Sequence, residues 1–141
     1  MSLATDIADA VAAELAGGTF TMSFTPVRRV LPSYELSDLA ELRVTVVPKA
    51  VDITAVARTM SQFDVQVDIG IQKKVSDLDG EVARLCGLVD EIADYLRGRK
   101  LASAEYAAWV RTENNPIYAP EHLHEKRTFT SVLTLTYRAV K

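Results

Sequence analysis

Apolar and polar side chains alternate along two stretches of the chain with the two-residue period of a β-strand that is buried on one face. The apolar face of the first stretch consists of Phe63, Val65, Val67, Ile69 and Ile71, and its polar face of Asp64, Gln66, Asp68 and Gly70. The apolar face of the second consists of Phe129, Leu133, Leu135 and Tyr137, and its polar face of Thr128, Thr130, Thr134, Thr136 and Arg138. The pattern predicts two strands of a sheet that is covered on one side.

Two further stretches have the period of a helix. The first has apolar residues every four positions, between a start near Ser2 or Thr5 and a stop at Gly17 and Gly18: Leu3, Ile7, Val11 and Leu15. The second is predicted over residues 77–97, with Ser76 and Asp77 as cap residues and Gly98 as its end, on the apolar positions Leu78, Val82, Leu85, Val89, Ile92 and Leu96. A two-stranded coiled coil is the alternative for this helix. Because the helix is short for that and the strands need a cover, we expect it to pack on the sheet.

Three more strands are predicted from shorter alternations. The first alternates apolar residues with Thr and Ser and is bent or ended by Pro26: Phe20, Met22 and Phe24. The next begins with Leu42, Val44 and Val46 and continues with Val51 and Ile53, and Pro48 places it at an edge or at a kink. Residues 54–62 are interpreted as the tip of a hairpin that leads into the Phe63 strand. A fifth strand runs through Tyr106, Ala108 and Val110, with loops predicted over residues 31–39 and 112–126.

The predicted order is helix, three strands, helix, two strands. Connections too short to hold a helix make most strand pairs antiparallel. The expected fold is therefore α+β, with a mainly antiparallel sheet of four or five strands and two helices packed on one face. With 141 residues, 48% of them hydrophobic, the chain is the size of a single domain spanning residues 1–141.

Charge and cysteine content exclude several classes of protein. A formal net charge of -3 argues against a protein that reads nucleic acid by neutralising phosphates. The basic clusters, Lys73 with Lys74 and Arg97 with Arg99 and Lys100, fall at ends of predicted elements and are interpreted as solvated. The single cysteine cannot form an internal disulfide, and no export segment or apolar run of about 20 residues is present, so synthesis in the cytoplasm and no membrane contact are expected.

No catalytic motif is found, so neither an enzyme nor a bound cofactor is expected. His122 and His124, with Glu121 and Glu125 beside them, form a weak candidate for a metal site, because a third convergent ligand is missing. Asp90 and Asp94 share a helix face and are interpreted as solvated charges. Cys86 lies among apolar helix residues and is interpreted as a buried thiol.

The predicted loop over residues 112–126 offers a candidate for protein interaction, because loops of this length in compact domains are often functional. Its candidate residues are Asn114, Asn115, Pro116, Ile117 and Tyr118. The loop either packs back on its own domain or docks on another subunit. The same two alternatives apply to Trp109, Tyr34, Arg28 and Arg29.

Four segments resemble small proteins from the tail-morphogenesis regions of tailed phages and prophages: residues 44–49 (VTVVPK), 68–74 (DIGIQKK), 112–118 (TENNPIY) and 129–137 (FTSVLTLTY). The likeness spans most of the chain, and the size and element order are similar to those of tail terminators. In that family the subunits form a ring, usually of six, that caps the finished tail tube and joins it to the neck. The candidate contacts of such a ring are the strand-end segments over residues 48–62 and 112–126. The family has no catalytic residues to transfer to this chain.

The resemblance implies a structural virion protein, made in the host cytoplasm and located in the tail or neck. Its implied partners are further copies of itself in a hexameric ring, the tail tube protein and a head-tail connector or stopper protein. DNA would pass through an acidic ring without specific binding. The alternatives are another head-tail connector or minor tail completion protein, and a small non-viral adaptor or metal-binding domain.

Overall fold

The computed structural model describes residues 2–30 and 39–141. In chain order the elements are α1 (Leu3–Ala16), β1 (Pro26–Arg28), β2 (Arg43–Ala57), β3 (Met60–Lys74), α2 (Leu78–Leu96), β4 (Ala108–Asn114), α3 (Pro120–Lys126) and β5 (Thr128–Val140). The strands form one five-stranded sheet in the order β1-β2-β3-β5-β4. β1 pairs with β2 in parallel and the other pairs are antiparallel, which confirms the predicted α+β class and the mainly antiparallel sheet.

The helix-side face of the sheet carries the core. Val65, Val67, Ile69 and Ile71 of β3 are fully buried, as are Leu135 and Tyr137 of β5, on the face predicted to be apolar. They form one cluster with Ile7 and Val11 of α1 and Leu85, Leu88 and Ile92 of α2. Both long helices therefore cover the same face, and α2 packs on the sheet as expected.

The start of α2 is held by a carboxylate inside the helix. Asp77 occupies the cap position, but its side chain makes no capping hydrogen bond. Instead the Oε1 atom of Glu81 accepts hydrogen bonds from the backbone N–H groups of Ser76 and Asp77, both at 3.1 Å, and from the Ser76 hydroxyl at 2.8 Å. These bonds lower the pKa of Glu81 from 4.5 to about 2.

β2 and β3 form a long hairpin with a turn at Arg58 and Thr59. Pro48 lies beyond the last residue of β2 that pairs with β1, which confirms the predicted edge position, and the pairing with β3 shifts register between Pro48 and Ala50. The strand continues through Val51 and Ile53 as predicted. We call residues 50–66, the outer part of this hairpin, the ribbon.

Three sequence predictions are corrected. Residues 20–25 do not form a strand, and the short first strand begins at Pro26, where the missing N–H costs no ladder bond. Phe20 instead packs its ring edge-on against Tyr95 of α2, with the centroids 5.2 Å apart. β4 begins at Ala108 rather than Tyr106, and the predicted loop over 112–126 contains the end of β4 and the additional helix α3. Most of the predicted loop over 31–39 lies outside the described residues.

Candidate interaction surface

The segment after β4, residues 115–119, follows the edge of β5. The backbone N–H of Asn115 donates to the Val132 carbonyl at 3.1 Å, and the N–H of Val132 donates to the Pro116 carbonyl at 3.2 Å. The side-chain amide of Asn114 has three acceptors within hydrogen-bond distance in the same region. They are the Pro116 carbonyl at 3.2 Å, the Ser131 hydroxyl at 3.0 Å and the Val132 carbonyl at 2.9 Å. The backbone of the candidate segment is thus attached to its own domain.

Two side chains of this segment nevertheless face outward. Ile117 is 58% exposed and Tyr118 is 40% exposed. The ring of Tyr118 packs against the buried ring of Phe129, with the centroids 6.4 Å apart, and this contact restricts the rotamers of Tyr118. The two alternatives from the sequence therefore apply to different atoms: the backbone packs on the domain, and the two apolar side chains are available to a partner.

Trp109 lies beside a groove between α2 and β4. Its indole Nε1–H donates to the hydroxyl of Thr112 at 2.9 Å. The groove has a volume of about 390 Å³ and is lined by Asp90, Ala93, Asp94, Arg97, Trp109, Arg111, Thr112, Asn114 and Leu133. Asp90 and Asp94 thus line an open groove, and Asp94 pairs with Arg97 at 3.7 Å.

The arginine candidates lie at the opposite edge of the sheet. Arg28 of β1 donates from Nε to the Oδ1 atom of Asp9 in α1 at 2.8 Å, which joins the strand to the helix. The backbone N–H of Arg29 donates to the Val46 carbonyl at 2.9 Å. The sheet order separates both arginines from Trp109 and Asn114, so the predicted residues do not form one site. Tyr34 lies outside the described residues.

Most of the ribbon lies within residues 48–62, which the sequence offers as a candidate contact region without naming individual side chains. Residues 49–60 are all exposed although most of them are in strands. The exposed set includes four large apolar side chains: Val51, Ile53, Val56 and Met60. Ile53, at 61% exposure, lies on the helix-side face opposite Phe63, beyond the area that the helices bury. The continuation of the alternation past Pro48 was the available signal.

The polar face of the ribbon carries two opposed carboxylates. Asp52 and Asp64 are direct cross-strand partners in β2 and β3. Arg138 of β5 binds Asp64 and lowers the pKa of that carboxyl below its ordinary value. Asp52 forms no ion pair with any residue in the described ranges. A cation supplied from outside the subunit would relieve this like-charge pair.

The histidines are placed on α3. Residues two positions apart on a helix are separated by about 200° around its axis, so His122 and His124 point to different sides. His122 lies against β5, with Nδ1 2.9 Å from the Thr130 hydroxyl, and His124 is exposed. Within residues 2–30 and 39–141 no group of three or more His, Cys, Asp or Glu side chains is arranged to hold a metal ion.

The remaining sequence candidates have ordinary surroundings. Cys86 is half-buried, and burial raises the pKa of its thiol, which disfavours the nucleophilic thiolate. The basic clusters are paired with carboxylates: Lys73 with Glu81 at 3.5 Å, Arg99 with Glu14 at 2.8 Å and Lys100 with Glu105 at 3.8 Å. None of the helices in the described part of the chain is long and apolar enough to span a bilayer.

A scan against models of known protein families found no match, and a search of curated proteins found none either.

Proposed function

We propose that this chain is a tail terminator, a structural protein of a phage virion that closes the tail tube as a ring and joins it to the neck. The proposal starts from the resemblance of four segments to tail-morphogenesis proteins. It gains support from the α+β plan of helix, three strands, helix and two strands, which the described elements follow with α3 added before the last strand.

The observation that carries the proposal is the exposed apolar ribbon. Val51, Ile53, Val56 and Met60 lie within a single hairpin and are each at least 39% exposed. Val51 and Ile53 share the helix-side face, and several exposed apolar side chains on one hairpin are typical of a surface that another protein covers. In the described part of the chain the outer edge of β2 beside them has no strand partner beyond Val46, and such an edge is also unfavourable in a lone subunit.

A terminator acts by geometry and needs no turnover. A tube built from identical stacked rings presents the same heterologous surface at its open end after every addition. A subunit that matches this surface on one side and presents a different one on the other stops growth there and creates a joint for the head. Tail tube protein and a connector or stopper protein are the proposed partners, and DNA passes through the ring.

Deleting the gene from a phage that encodes this chain tests the proposal. Tails should form but have irregular length or fail to join filled heads in electron micrographs. Supplying the protein from a plasmid should restore both properties, and supplying the His122→Ala, His124→Ala variant should restore them equally well. Normal tails and normal joining in the deletion would exclude the terminator role, and a failure of the folded histidine variant would favour a metal-binding function.

A further inference from the structure

The two free edges of the sheet differ and complement each other. At one edge, β1 pairs with β2 only as far as Val46, so β2 is unpaired on its outer side from Pro48 to its end within the described residues. At the other edge, β4 has β5 as its one strand partner among residues 2–30 and 39–141. We propose that β2 of one copy of this chain pairs with β4 of the next copy, so that the sheets run on from subunit to subunit. The proposal rests on the ring proposed above and names its contact.

The direction of the strands permits this contact. β2 and β4 are antiparallel to each other within one sheet, because three successive antiparallel pairings separate them. A neighbouring copy brought alongside without being turned over therefore presents its β4 antiparallel to β2. Such a head-to-tail contact uses two different surfaces of the subunit, which is the kind of contact that closes into a ring.

The hydrogen-bonding groups of β2 are available at the required positions. Ser61 and Lys141 exchange both backbone hydrogen bonds, so odd-numbered residues of β3 in this stretch bond to β5. Hydrogen-bonding directions alternate along an antiparallel strand, so the backbone N–H and C=O groups of Asp64 are directed toward its partner Asp52. Val51 and Ile53 consequently direct their N–H and C=O groups to the free edge.

The same reasoning applies to β4. Val132 bonds to the backbone of Asn115 and Pro116, so even-numbered residues of β5 direct their groups toward β4. Arg111 and Glu113, the partners of Thr136 and Thr134, are therefore bonded inward. Thr112 between them directs its N–H and C=O to the free edge.

One register satisfies backbone, charge and burial together. If Val51 exchanges hydrogen bonds with Thr112 of the next copy, Asp52 lies directly opposite Arg111, both on the polar face. Glu113 then lies opposite Ala50, next to Lys49. The carboxylate of Asp52, which has no ion pair within the described residues, gains a guanidinium from the neighbouring copy. Arg111 already donates from Nε to Glu113 Oε1 at 3.1 Å in its own strand, and Lys49 lies 3.9 Å from Asp68, so in the contact each cation would lie between two carboxylates.

The side chains on the helix-side face also fit this register. Val51 and Thr112 lie on the same face when they are cross-strand partners, beside the groove of about 390 Å³ between α2 and β4. Trp109, Ala93 and Leu133 supply the apolar part of the lining of that groove, beside polar and charged residues. Val51, 39% exposed in the lone subunit, would be covered by it, and Ile53 would follow beside the register shift at Trp109.

Charge reversal tests the contact. Arg111→Glu and Asp52→Arg should each raise the concentration at which the ring dissociates about tenfold or more, because each places like charges opposite one another. The double variant restores an opposite pair and should return to within about threefold of the unmodified protein. Arg84→Glu is the control, because it makes the same charge change on an exposed position of α2. Light scattering over a dilution series measures the mass.

Cysteine cross-linking tests the register in the same particles. The test places Asp52→Cys and Arg111→Cys together in a Cys86→Ser background. Within one subunit the backbones of residues 52 and 111 are about 14 Å apart, because β3 and β5 lie between their strands. In the proposed contact they form a non-hydrogen-bonded pair about 4.5 Å apart, which a disulfide can bridge. Oxidation should therefore produce a ladder of covalent oligomers, and Asp52→Cys with Arg84→Cys should not.

The outcomes separate the two proposals. If the unmodified protein stays monomeric at every concentration, the ring and the contact are both wrong. If it forms rings but neither reversal shifts their dissociation and no ladder appears, the contact is wrong and the ring uses other surfaces. The contact is established if each single charge reversal weakens the ring and the double variant restores it. The oligomer ladder must also appear with the cysteine pair at residues 52 and 111 and not with the control pair.

Discussion

Asp64 and Arg138 face each other across β3 and β5, and the guanidinium donates two hydrogen bonds to the carboxylate, from Nε to Oδ1 at 2.8 Å and from Nη2 to Oδ2 at 3.2 Å. On its other side Asp64 faces the carboxylate of Asp52. Arg138 thus compensates one of two like charges that the β2–β3 pairing brings together. This relationship makes the stability of the ribbon depend on pH.

Changing Arg138 to Gln should lower the melting temperature at pH 7. Arg138 holds the pKa of Asp64 below its ordinary value of 3.8, so its stabilising effect is present above about that pH and is lost as the pH falls further. The deficit of the variant should therefore shrink below pH 3.8. Adding Asp52→Asn should recover part of the loss at pH 7. A deficit that is independent of pH would show that the pair is not the cause.

Glu81 should make the start of α2 sensitive to acid. Its pKa is lowered to about 2 from an ordinary 4.5, so the stability it contributes is complete above pH 4.5 and is lost as the pH falls toward 2. Glu81→Gln should be less stable than the unmodified protein at pH 6, and the gap between their melting curves should narrow between pH 4.5 and 2. Asp79→Asn, in the same first turn but outside this network of hydrogen bonds, should leave the acid response intact.

Burial predicts a large loss of stability at one valine and a small loss at another in the neighbouring strand when each is changed to Asp. Val67→Asp places an unpaired carboxylate in a fully buried position and should cost about 3–5 kcal/mol of unfolding free energy. Val56→Asp makes the same change at a position that is 56% exposed and should cost about 0.5 kcal/mol or less. Urea titrations followed by circular dichroism measure both. Equal losses would mean that the buried face of the sheet is assigned wrongly.

The side chain of Asn114 should hold the segment that follows β4 in place. Asn114→Ala removes the amide that reaches the Pro116, Ser131 and Val132 acceptors, and we expect a loss of about 1–3 kcal/mol. Hydrogen exchange at the amide of Asn115 should become faster while exchange in the centre of β3 changes little. Unchanged hydrogen exchange at Asn115 would show that the backbone hydrogen bonds hold this segment without the Asn114 side chain.

Ile117 and Tyr118 should contribute to assembly and not to folding. Changing both to Ser should leave the circular dichroism spectrum unchanged and weaken the ring by about one to three orders of magnitude in concentration, since truncating two interface anchors costs about 2–4 kcal/mol. Light scattering of the variant beside Ile117→Val, Tyr118→Phe, which keeps the apolar surface, measures the effect. If both variants assemble normally, the segment is an ordinary surface connection.

The parts of the fold that the sequence predicts best are those whose side chains repeat over many residues. β3 and α2 bury the predicted faces. In β5 the predicted apolar face is buried, but Thr128, Thr134 and Thr136 of the predicted polar face are buried too, so that strand is not covered on one side alone. Residues 20–25 show why alternation alone is insufficient. Phe20 contacts Tyr95 and Phe24, and the N–H of Thr21 donates to Glu91 of α2. The segment thus partly buries its apolar side chains with no strand partner among the described residues.

Short elements and non-local contacts account for the other differences. α3 has seven residues and begins at Pro120, and proline in a polar stretch also predicts a loop. The sequence identifies Asn114 and Trp109 as candidates but cannot indicate that Asn114 reaches Ser131, because that contact depends on the register between β4 and β5. The importance of Asp52 likewise appears only when Asp64 is known to be its partner.

The pairing of β3 with β5 also governs the order in which the chain folds. β2 and β3 are joined by a two-residue turn, so their hairpin can close locally, on the order of microseconds. β5 follows only after α2, β4 and α3, and pairing it with β3 requires the closure of that whole intervening segment. During this interval the inner edge of β3 is open beside Val65, Val67 and Ile69. A nascent chain at high concentration is therefore most vulnerable to self-association through the open edge of β3 until β5 pairs with it.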